Sequence, residues 1–474
     1  MSDVTRRDFL AGLAATQIPG IVNAQTKTAG RAPLQISHLR YEGQFLLPID
    51  DPSGAKTRFG YSLGAITHRY VGKELRLIVA GTEQRGGGDN NKITYPSGWV
   101  TGVGCAPYEV SVPAMGSRAT LVKNWGVPDY QMKRISGNKA ETSVRGFWYD
   151  EARQGLWAAY GDTYNVAGWH DPSILFLASD GRVYGPWRTQ EHSQRTRGFL
   201  VPLPPDLAGG RRFAVGAPPT SGNANGPVGL VLYALADFDP RTRPADVLQA
   251  SPASSARNAI DCLPLAQYDG SHPQDRKAAG PYKVCNWRVI YDCSKGSTIK
   301  DGEPTFNNND LRLDLWSAAA YVQTDTVEGL LTLGQITAVV PGKAYPTDGM
   351  PHLWYGPTNL VSGESGQCCH GHVGSSGGTG PMSTSVRAAL STYSRDTLQK
   401  AAQGSIKPWA LTPTTDLANP GMLSNGLFSK ITSAGYYIGG ATFDPVSRKL
   451  FVTENYAEVV GELRSVVHVF SVSG

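Results

Sequence analysis

The sequence is poor in charged residues and in long apolar runs. Charged side chains account for 18% of its 474 residues, and the formal net charge is only +5. No long run of lysine and arginine occurs, which excludes the concentrated basic face of a nucleic-acid-binding protein. After residue 24, no apolar stretch approaches the roughly 20 residues that span a bilayer. We therefore expect neither a nucleic-acid partner nor a membrane anchor in the mature protein.

Cysteine is also scarce, with six residues in the chain. None lies in the Cys-x-x-Cys-His sequence of haem attachment, and no paired Cys-x-x-Cys sequence of a zinc site is present. An even number of cysteines is typical of disulfides in an oxidising compartment. Cys262, Cys285 and Cys293 lie close enough in sequence to staple one long loop, although their spacing leaves the pairing open.

Glycine, tyrosine and tryptophan are abundant, with 55, 21 and 10 residues. Such a composition favours a large all-β protein with many tight turns. Residues 439–453 predict a β-hairpin in which Asp-Pro makes the turn. The same pattern recurs at residues 63–81, 145–162, 197–217 and 315–334, and a further strand follows most of these hairpins.

Units of three or four strands that recur about every 60 residues are typical of β-propeller blades. We therefore predict an all-β fold, a β-propeller of seven blades within a range of six to eight, formed by residues 25–474 as a single domain. Small residues at the start of each inner strand fit a crowded central channel. A strand within Leu34–Leu47 is predicted to pair beside Val466–Val472 and close the ring. An open pair of packed sheets is the alternative fold.

Helix signals are few. The one amphipathic helix that the sequence predicts is Arg395–Gln403, which follows Ser394 as its N-cap.

Two segments carry a resemblance to known proteins. RYEGQFLLP (40–48) and GFWYDEARQGLWAAYGDTYN (146–165) resemble a group of exported bacterial β-propellers that have no assigned activity. The hairpins resemble those of bacterial β-propellers in general. Turn and strand patterns carry the resemblance, so it implies the fold and says little about chemistry.

The first residues carry an export pattern. Arg6-Arg7 precede a short, weakly apolar run, and Val22-Asn23-Ala24-Gln25 has the small residues of a cleavage site. The segment resembles a twin-arginine (Tat) signal. This resemblance implies a signal peptide over residues 1–24, the Tat translocon as a partner during export, and a periplasmic or extracellular location for a protein that folds before it crosses. The alternatives are an ordinary secretory signal and a chance Arg-Arg pair in a disordered N-terminus.

One group of reactive side chains lies in the predicted hairpin at residues 145–162 and in the segment that follows it. Asp162, Tyr164, His170 and Asp171 follow one another there, and Arg145 opens the preceding inner strand. In a lyase, a His or Tyr takes the proton next to a uronate carboxylate while Arg stabilises the enolate. In a glycosidase, paired carboxylates act as acid and as base or nucleophile. We predict these five residues as catalytic candidates. The alternative is a structural turn capped by Asp162.

A second group of reactive side chains lies in a Gly/Ser-rich loop. His370 and His372 place two imidazoles on one side of an extended segment, which suits a shared metal ion, and His352 or Asp348 is a candidate further ligand. Calcium, zinc, manganese and copper are the candidate ions, and the neighbouring Cys368-Cys369 favours zinc or copper. The alternatives are a polar loop in which the cysteines form structural disulfides, and a catalytic role of the loop without a metal.

Aromatic side chains accompany both groups. Trp169, Trp354 and Tyr355 are suited to stacking on sugar rings, and equally to filling the space between blades. The first hypothesis is therefore an exported carbohydrate-active enzyme, a polysaccharide lyase or glycoside hydrolase that acts in the central groove. The second is a metal-dependent enzyme or oxidoreductase that uses the loop of His370 and His372. The third is a propeller that binds a ligand or a protein without catalysis.

Overall fold

Strands with apolar residues on both faces pair into sheets that pack against one another, because each face needs a partner to be buried. The computed structural model describes these parts of the chain: residues 30–49, 64–81, 106–126, 142–162, 172–217 without 192, 230–246, 259–267, 315–338, 385–417, 438–474 without 461, and short pieces within 56–101 and 282–306.

Five antiparallel sheets, or blades, form the described body. Within each blade the strands follow one another outward from a common axis. Their bounds are Ile66–Val71, Glu74–Gly81, Ala106–Ser111 and Leu121–Asn124 in blade 1; Thr142–Asp150, Gly155–Asp162, Ile174–Ala178 and Val183–Trp187 in blade 2; Leu200–Pro202, Phe213–Gly216, Val231–Leu235 and Cys262–Gln267 in blade 3; Leu315–Gln323, Val327–Ala338, Ser385–Ser394 and Thr415–Leu417 in blade 4; and Ile438–Asp444, Lys449–Val460, Glu462–Val472 and Leu39–Leu46 in blade 5.

Smaller elements accompany the blades. Three pairs of two-residue strands and three 3-10 helices also occur in the described parts, at Lys56–Thr57 with Gln84–Arg85, Ile93–Thr94 with Val100–Thr101, Tyr282–Lys283 with Thr305–Phe306, Ile36–His38, Ser193–Arg195 and Pro408–Ala410.

The five blades close into a ring, which makes the fold a β-propeller. Cα atoms of the first strand of each blade come within 8 Å of the first strands of both neighbours, and blade 5 meets blade 1 in the same way. The predicted propeller is confirmed, whereas the open pair of sheets and the count of seven blades, with its range of six to eight, are wrong. The five hairpins predicted from the sequence are the inner strand pairs of the five blades. The error lies in the assumed repeat of about 60 residues, because connections differ in length and blade 4 alone extends from residue 315 to residue 417.

The N-terminal segment closes the ring, as predicted. Leu39–Leu46 pairs antiparallel with Glu462–Val472 and becomes the outer strand of blade 5. Just before it, Ala32–Pro33 pairs in parallel with the second strand of blade 4. The N-terminal and C-terminal strands of the described chain are thereby paired, and blade 5 has four strands.

The first strands approach so closely at two junctions that only glycine fits. A Cβ atom on Gly440 of blade 5 would lie 2.7 Å from the carbonyl oxygen of Gly64 in blade 1, and a Cβ atom on Gly146 of blade 2 would lie 2.5 Å from the backbone nitrogen of Leu200 in blade 3. Real Cβ atoms essentially never come nearer than 3.0 Å. The first strands of blades 2 and 5, which are not neighbours, also come within 8 Å of each other. The axis is therefore crowded, as the small residues of the repeat predict.

Large apolar side chains fill the space between neighbouring blades. Between blades 2 and 3, the buried ring of Trp157 has its centroid 5.1 Å from those of Phe176 and Phe213 and 5.9 Å from that of Trp187. Aromatic pairs at such spacings add about 0.5–1.5 kcal/mol beyond the burial of their area. Blade-to-blade packing is therefore the main apolar core of the fold.

Buried carboxylates join blades at the end of the ring that carries the turns between first and second strands, which we call the turn end. Asp150 of blade 2 accepts two 3.0 Å hydrogen bonds from Arg212 of blade 3. Asp444 of blade 5 accepts a 2.8 Å hydrogen bond from the Tyr70 hydroxyl of blade 1. Two more exposed ion pairs join the remaining blades on this side, Arg395 with Asp206 and Arg448 with Asp325.

The charge of Asp150 is stabilised by its two arginine partners. Burial by itself raises the pKa of this carboxyl, but hydrogen bonds from Arg153 and Arg212 and their positive charges outweigh burial and bring the pKa below its ordinary value. Because the pKa is lower in the folded state than in the unfolded state, the carboxylate stabilises the fold at pH values above the unfolded pKa. That contribution is lost as the pH falls through the folded pKa.

The predicted helix is confirmed as α1 (Arg395–Ala402), and the Ser394 side chain caps it by accepting a hydrogen bond from the Thr397 backbone nitrogen. No helix among the described residues is long and apolar enough to cross a membrane.

Cys262 is a free thiol in the described structure. Its sulfur donates a 3.4 Å hydrogen bond to the carbonyl oxygen of Ile260, and burial raises the pKa of the thiol to about 12. The predicted disulfide staple therefore does not include Cys262 in this structure. The other five cysteines lie outside the described residues.

Replacing Asp150 by Asn should lower the free energy of unfolding by about 3 kcal/mol at pH 7, because it leaves two arginines without their buried anion. The matched control is Asp180→Asn in the same blade, whose ion pair with Arg182 is exposed and should contribute at most about 1 kcal/mol. Urea unfolding followed by fluorescence measures both values. The difference between wild type and Asp150→Asn should shrink as the pH falls from the unfolded pKa near 4 through the lower folded pKa, where the folded carboxyl takes up its proton. Equal losses for the two variants would contradict the assignment.

Candidate functional site

The end of the ring opposite the turn end is where first strands begin, second strands end and third strands begin. We call it the loop end. The predicted segment with His170 joins the second and third strands of blade 2, and the segment with His352, His370 and His372 joins the corresponding strands of blade 4. Since strands alternate in direction within each blade, the described strand ends that flank both segments lie at the loop end.

Two of the predicted site residues fall within described strands. Arg145 lies at the loop end of the first strand of blade 2, where its side chain is only 7% exposed. Asp162 is the last residue of the second strand, opposite Thr142. The remaining predicted site residues lie outside the described residues, and their roles stay predictions: Tyr164, Trp169, His170, Asp171, His352, Trp354, Tyr355, His370 and His372.

Metal binding also stays a prediction. Within the part of the chain that the structure describes, no group of three His, Cys, Asp or Glu side chains could hold a metal ion. The histidines predicted as ligands lie outside the described residues.

Arg145 has a counterpart in blade 3 that the sequence prediction did not include. The first strand of blade 2 contains Arg145-Gly146-Phe147, and Arg197-Gly198-Phe199 leads into the first strand of blade 3. The two sequences are in contact, because a Cβ atom on Gly146 would lie 2.7 Å from the backbone carbon of Phe199 and closer still to the Gly198 oxygen. Arg197 is 2% exposed. Two buried guanidinium groups therefore begin at adjoining backbone positions.

A network of buried hydroxyl groups holds the segment that leads to Arg197. The Thr196 hydroxyl lies 2.8 Å from the Thr189 hydroxyl and 3.2 Å from the Ser173 hydroxyl at the start of the third strand of blade 2. Thr189 also donates a 3.1 Å hydrogen bond to the carbonyl oxygen of Glu191. These bonds attach the connection between blades 2 and 3 to blade 2 and so position Arg197.

A buried chain of polar groups crosses three strands of blade 5. The Tyr41 hydroxyl lies 3.1 Å from Nδ1 of His468, and Nε2 of His468 lies 2.8 Å from a carboxylate oxygen of Glu454. His468 is fully buried, Glu454 is nearly so, and Tyr41 is partly buried. Glu454 pairs with Ile438 at the start of the first strand, so the chain of polar groups leads from the outer strand toward the loop end.

The chemistry of this trio assigns its hydrogen bonds. A carboxylate oxygen accepts, so in the tautomer of His468 that carries its proton on Nε2 the ring donates to Glu454. Nδ1 then accepts from the Tyr41 hydroxyl. Burial, and in second place the charge of Glu454, raises the pKa of Tyr41 above its ordinary value. The trio can therefore orient an imidazole and a phenol, as catalytic triads do, but its depth in the blade also fits a structural role.

The sequence held a signal for each residue that prediction missed. Arg197 repeats the Arg-Gly-Phe pattern of Arg145 in a hairpin that is recognisable as a copy. His468 interrupts the apolar strand Ser465–Val472, where a polar side chain needs a buried partner. The predicted pairing of the Leu34–Leu47 strand beside Val466–Val472 brings Tyr41 to the same blade, but its hydrogen bond with His468, 427 positions away, depends on the sheet register.

Comparison with known proteins gives no family for this chain. The sequence matches no family model and none of the curated proteins. Similar solved structures include a luciferin-regenerating enzyme (10% identity, 93% of this chain and 95% of the other covered, TM-score 0.32). Another comes from work on GH130 mannoside phosphorylases and glycoside hydrolases that target β-1,2 mannosidic linkages in Candida mannan (9%, 95% and 96%, TM-score 0.35). A third is a protein of unknown function from Dyadobacter fermentans (9%, 92% and 100%, TM-score 0.35). At such values these likenesses carry no argument about activity.

Replacing Tyr41 by Phe should make the free energy of unfolding less sensitive to alkaline pH. The pKa of Tyr41 is raised in the folded state, so its contribution to stability is complete below the unfolded pKa near 10 and is lost as the pH rises through the folded pKa. The free energy of unfolding of wild type should therefore fall more steeply above pH 10 than that of Tyr41→Phe. The control is Phe470→Leu, since the Phe470 ring lies 5.2 Å from that of Tyr41 but does not titrate. Parallel curves for wild type and Tyr41→Phe would contradict the assignment.

Proposed function

We propose that the protein is an exported carbohydrate-active enzyme, a polysaccharide lyase or glycoside hydrolase, whose substrate binds at the loop end. One observation carries the proposal: Arg145, predicted from the sequence as a catalytic cation, is a buried side chain at that end. The strand ends that flank the segment of His170 lie at the same end. Acid–base groups and a cation at one end of a rigid ring are the components that both reactions need.

The rest of the ring supports this location. The turn end is occupied by carboxylates and arginines that join blades, and those groups have partners in the neighbouring blade. The axis is crowded by the first strands themselves. Residues free to contact a polymer are therefore best sought at the loop end, where connections between strands offer long and variable surfaces.

The proposed roles follow the chemistry of the side chains. In the lyase form, His170 or Tyr164 removes the proton next to the substrate carboxylate and Arg145 stabilises the enolate. In the hydrolase form, Asp162 and Asp171 are the acid and the base or nucleophile. The aromatic rings of Trp169, Trp354 and Tyr355 then stack on sugar rings.

Export is part of the proposal. Cleavage after Ala24 would remove none of the described residues; among these, Ala32 is the first that pairs with the ring, and the ion pair of Arg31 with Glu328 also lies beyond the cut. The described ring therefore consists of residues that the mature protein would keep. A twin-arginine route, which carries folded substrates, is compatible with this arrangement.

Replacing Arg6 and Arg7 together by Lys should keep the protein in the cytoplasm with its leader uncut. The substitution retains the charge and changes only the side-chain type that the pattern requires. The control is Lys27→Arg, a conservative change beyond the cleavage site. Cell fractionation and intact mass measure the outcome, and exported wild type should begin at Gln25. Unchanged export of the double variant would favour the ordinary secretory signal.

The purified mature protein should release products from at least one polysaccharide. A panel of polyuronates and neutral glycans, assayed for unsaturated uronate absorbance and for reducing ends, separates the lyase from the hydrolase. His170→Gln should lower kcat by about 100-fold or more, as expected for loss of a general acid or base, with little change in KM. The control is His38→Gln, since His38 is at the turn end and accepts a hydrogen bond from the exposed Gln35 backbone. No product from any polymer would overturn the proposal.

A further inference from the structure

The junction of blades 1 and 5 contains a histidine with polar neighbours in the opposite blade. His68 lies in the first strand of blade 1, and its Nδ1 is 2.8 Å from the Thr442 hydroxyl in the first strand of blade 5. Its Nε2 is 3.9 Å from a carboxylate oxygen of Asp444 in that same strand. The His68 side chain is 21% exposed, so protons from solvent can reach it, whereas Asp444 is fully buried. One titratable ring therefore lies between two polar groups of the neighbouring blade.

The Asp444 carboxylate is already occupied by other donors. One of its oxygens accepts a hydrogen bond from the Tyr70 hydroxyl at 2.8 Å and another from the Ser447 backbone nitrogen at 3.0 Å, and the Ser447 hydroxyl also donates to it. The other oxygen accepts from the Val446 backbone nitrogen at 3.1 Å. At 3.9 Å, Nε2 of His68 is too far away for a hydrogen bond. A protonated imidazole would therefore attract this carboxylate only through charge, unless the carboxylate gave up one of its present donors.

Apolar side chains occupy the sheet positions beside His68 and Thr442. His68 is paired with Leu77 in blade 1, and Thr442 is paired with Phe451 in blade 5. Both apolar residues are fully buried in the cluster between the two blades. Burial lowers the pKa of His68, the charge of Asp444 acts in the opposite direction, and the pKa lies below its ordinary value of 6.5. The neutral imidazole is thus the form that fits the folded junction.

Other titratable groups near this junction have partners or remain neutral. Arg69 lies on the opposite face of the first strand of blade 1, where its guanidinium donates a 2.6 Å hydrogen bond to Glu109. Lys449 begins the second strand of blade 5, and its amine lies 3.2 Å from Glu42. Burial, and then the hydrogen bond to the buried carboxylate, raises the pKa of Tyr70 above its ordinary value, so its hydroxyl stays protonated in mild acid. The histidine is therefore the group at this junction whose charge changes just below neutral pH.

We infer that the junction of blades 1 and 5 is a pH-sensitive contact, which is firm while His68 is neutral and loosens in mild acid when His68 takes up a proton. The inference goes beyond the proposed function and does not depend on it. Because the pKa of His68 is lower in the folded than in the unfolded state, its contribution to stability is complete above about pH 6.5 and is lost as the pH falls through the folded pKa. The junction of blades 2 and 3 is a contrast, because Asp150 and Arg212, which join it, both keep their charges in that range.

Loosening at His68 affects both ends of the ring, because the same strand makes contacts at each end. At the loop end, Gly64 packs its backbone against Gly440, and its carbonyl oxygen accepts a hydrogen bond from the Thr453 hydroxyl. The two blades approach there as closely as their backbones allow. A shift of the first strand of blade 1 therefore changes the spacing between blades 1 and 5 at the end proposed to meet the substrate.

Hydrogen exchange of the purified protein, followed by mass spectrometry, tests the inference. Protection of Ile66–Val71 and Ile438–Asp444, corrected for the intrinsic exchange rate at each pH, should fall by about threefold or more between pH 7 and pH 5. Protection of Thr142–Asp150, at the junction of blades 2 and 3, should change by less than about 1.5-fold. An equal loss at both junctions, or higher protection of Ile66–Val71 in acid, would overturn the inference.

Variants then assign the effect to one side chain. His68→Asn retains a polar group near the Nδ1 position but does not titrate, so protection of Ile66–Val71 should change by less than about 1.5-fold between pH 7 and pH 5. The control is His38→Asn, since Nδ1 of His38 accepts a hydrogen bond from the nearby Gln35 backbone nitrogen and contacts no other blade through it; this variant should keep the wild-type pH dependence. His68→Gln serves where His68→Asn fails to fold, as judged by its melting temperature. Wild-type pH dependence in a folded variant of His68 would overturn the inference.

Titration of the imidazole itself gives an independent check. With ¹³C-labelled histidine, the NMR resonance that is missing from the His68→Asn spectrum belongs to His68, and its pKa should lie below 6.5. A value above 6.5 would mean that Asp444 attracts the proton more strongly than burial opposes it. Acid would then tighten the junction, and the inference would fail.

Discussion

The contact of backbone with backbone between neighbouring first strands determines much of this structure. Gly440 against Gly64 and Gly146 against Leu200 leave no space for a Cβ atom, so the distance between these blades is set by the main chain. With two such close junctions in a ring of five blades, the axis is crowded, and the first strands of blades 2 and 5, which are not neighbours, come within 8 Å. A ligand site within the axis, as the sequence hypothesis of a central groove implied, therefore has little room. The ends of the ring are left for function.

The turn end and the loop end bury different sets of charged side chains. At the turn end, buried carboxylates receive hydrogen bonds from the next blade, as Asp150 does from Arg212 and Asp444 does from Tyr70. Such groups add specificity to blade packing, because a shift of one blade would leave a buried charge without its partner. At the loop end, Arg145 and Arg197 are buried instead. Buried acids are not confined to the turn end, because Glu454 and Glu458 lie near the loop end of the second strand of blade 5.

Features that depend on residues near one another in sequence could be predicted, whereas most contacts between distant residues could not. The inner hairpins could be predicted because alternation and turn residues are local, and ring closure by Leu39–Leu46 followed from matching strands at the two ends. The number of blades could not be predicted, because no local signal distinguishes a long connection from an additional blade. Arg145 was predicted from its position in a repeat, and Arg197 carries the same Arg-Gly-Phe pattern, but the contact between the two copies is seen only in the structure. The partners of His468 come from different strands and are set by sheet register alone.

Closure of blade 5 by the N-terminal strand has a consequence for biosynthesis. Leu39–Leu46 is synthesised before the strands of blades 1 to 4, and its partner Glu462–Val472 is synthesised after them. Until that partner is made, the early strand has no neighbour in blade 5 and offers an unpaired edge to other chains. Completion of the ring therefore waits for the synthesis of Glu462–Val472, and a chain shortened before this strand would be an open arc prone to self-association.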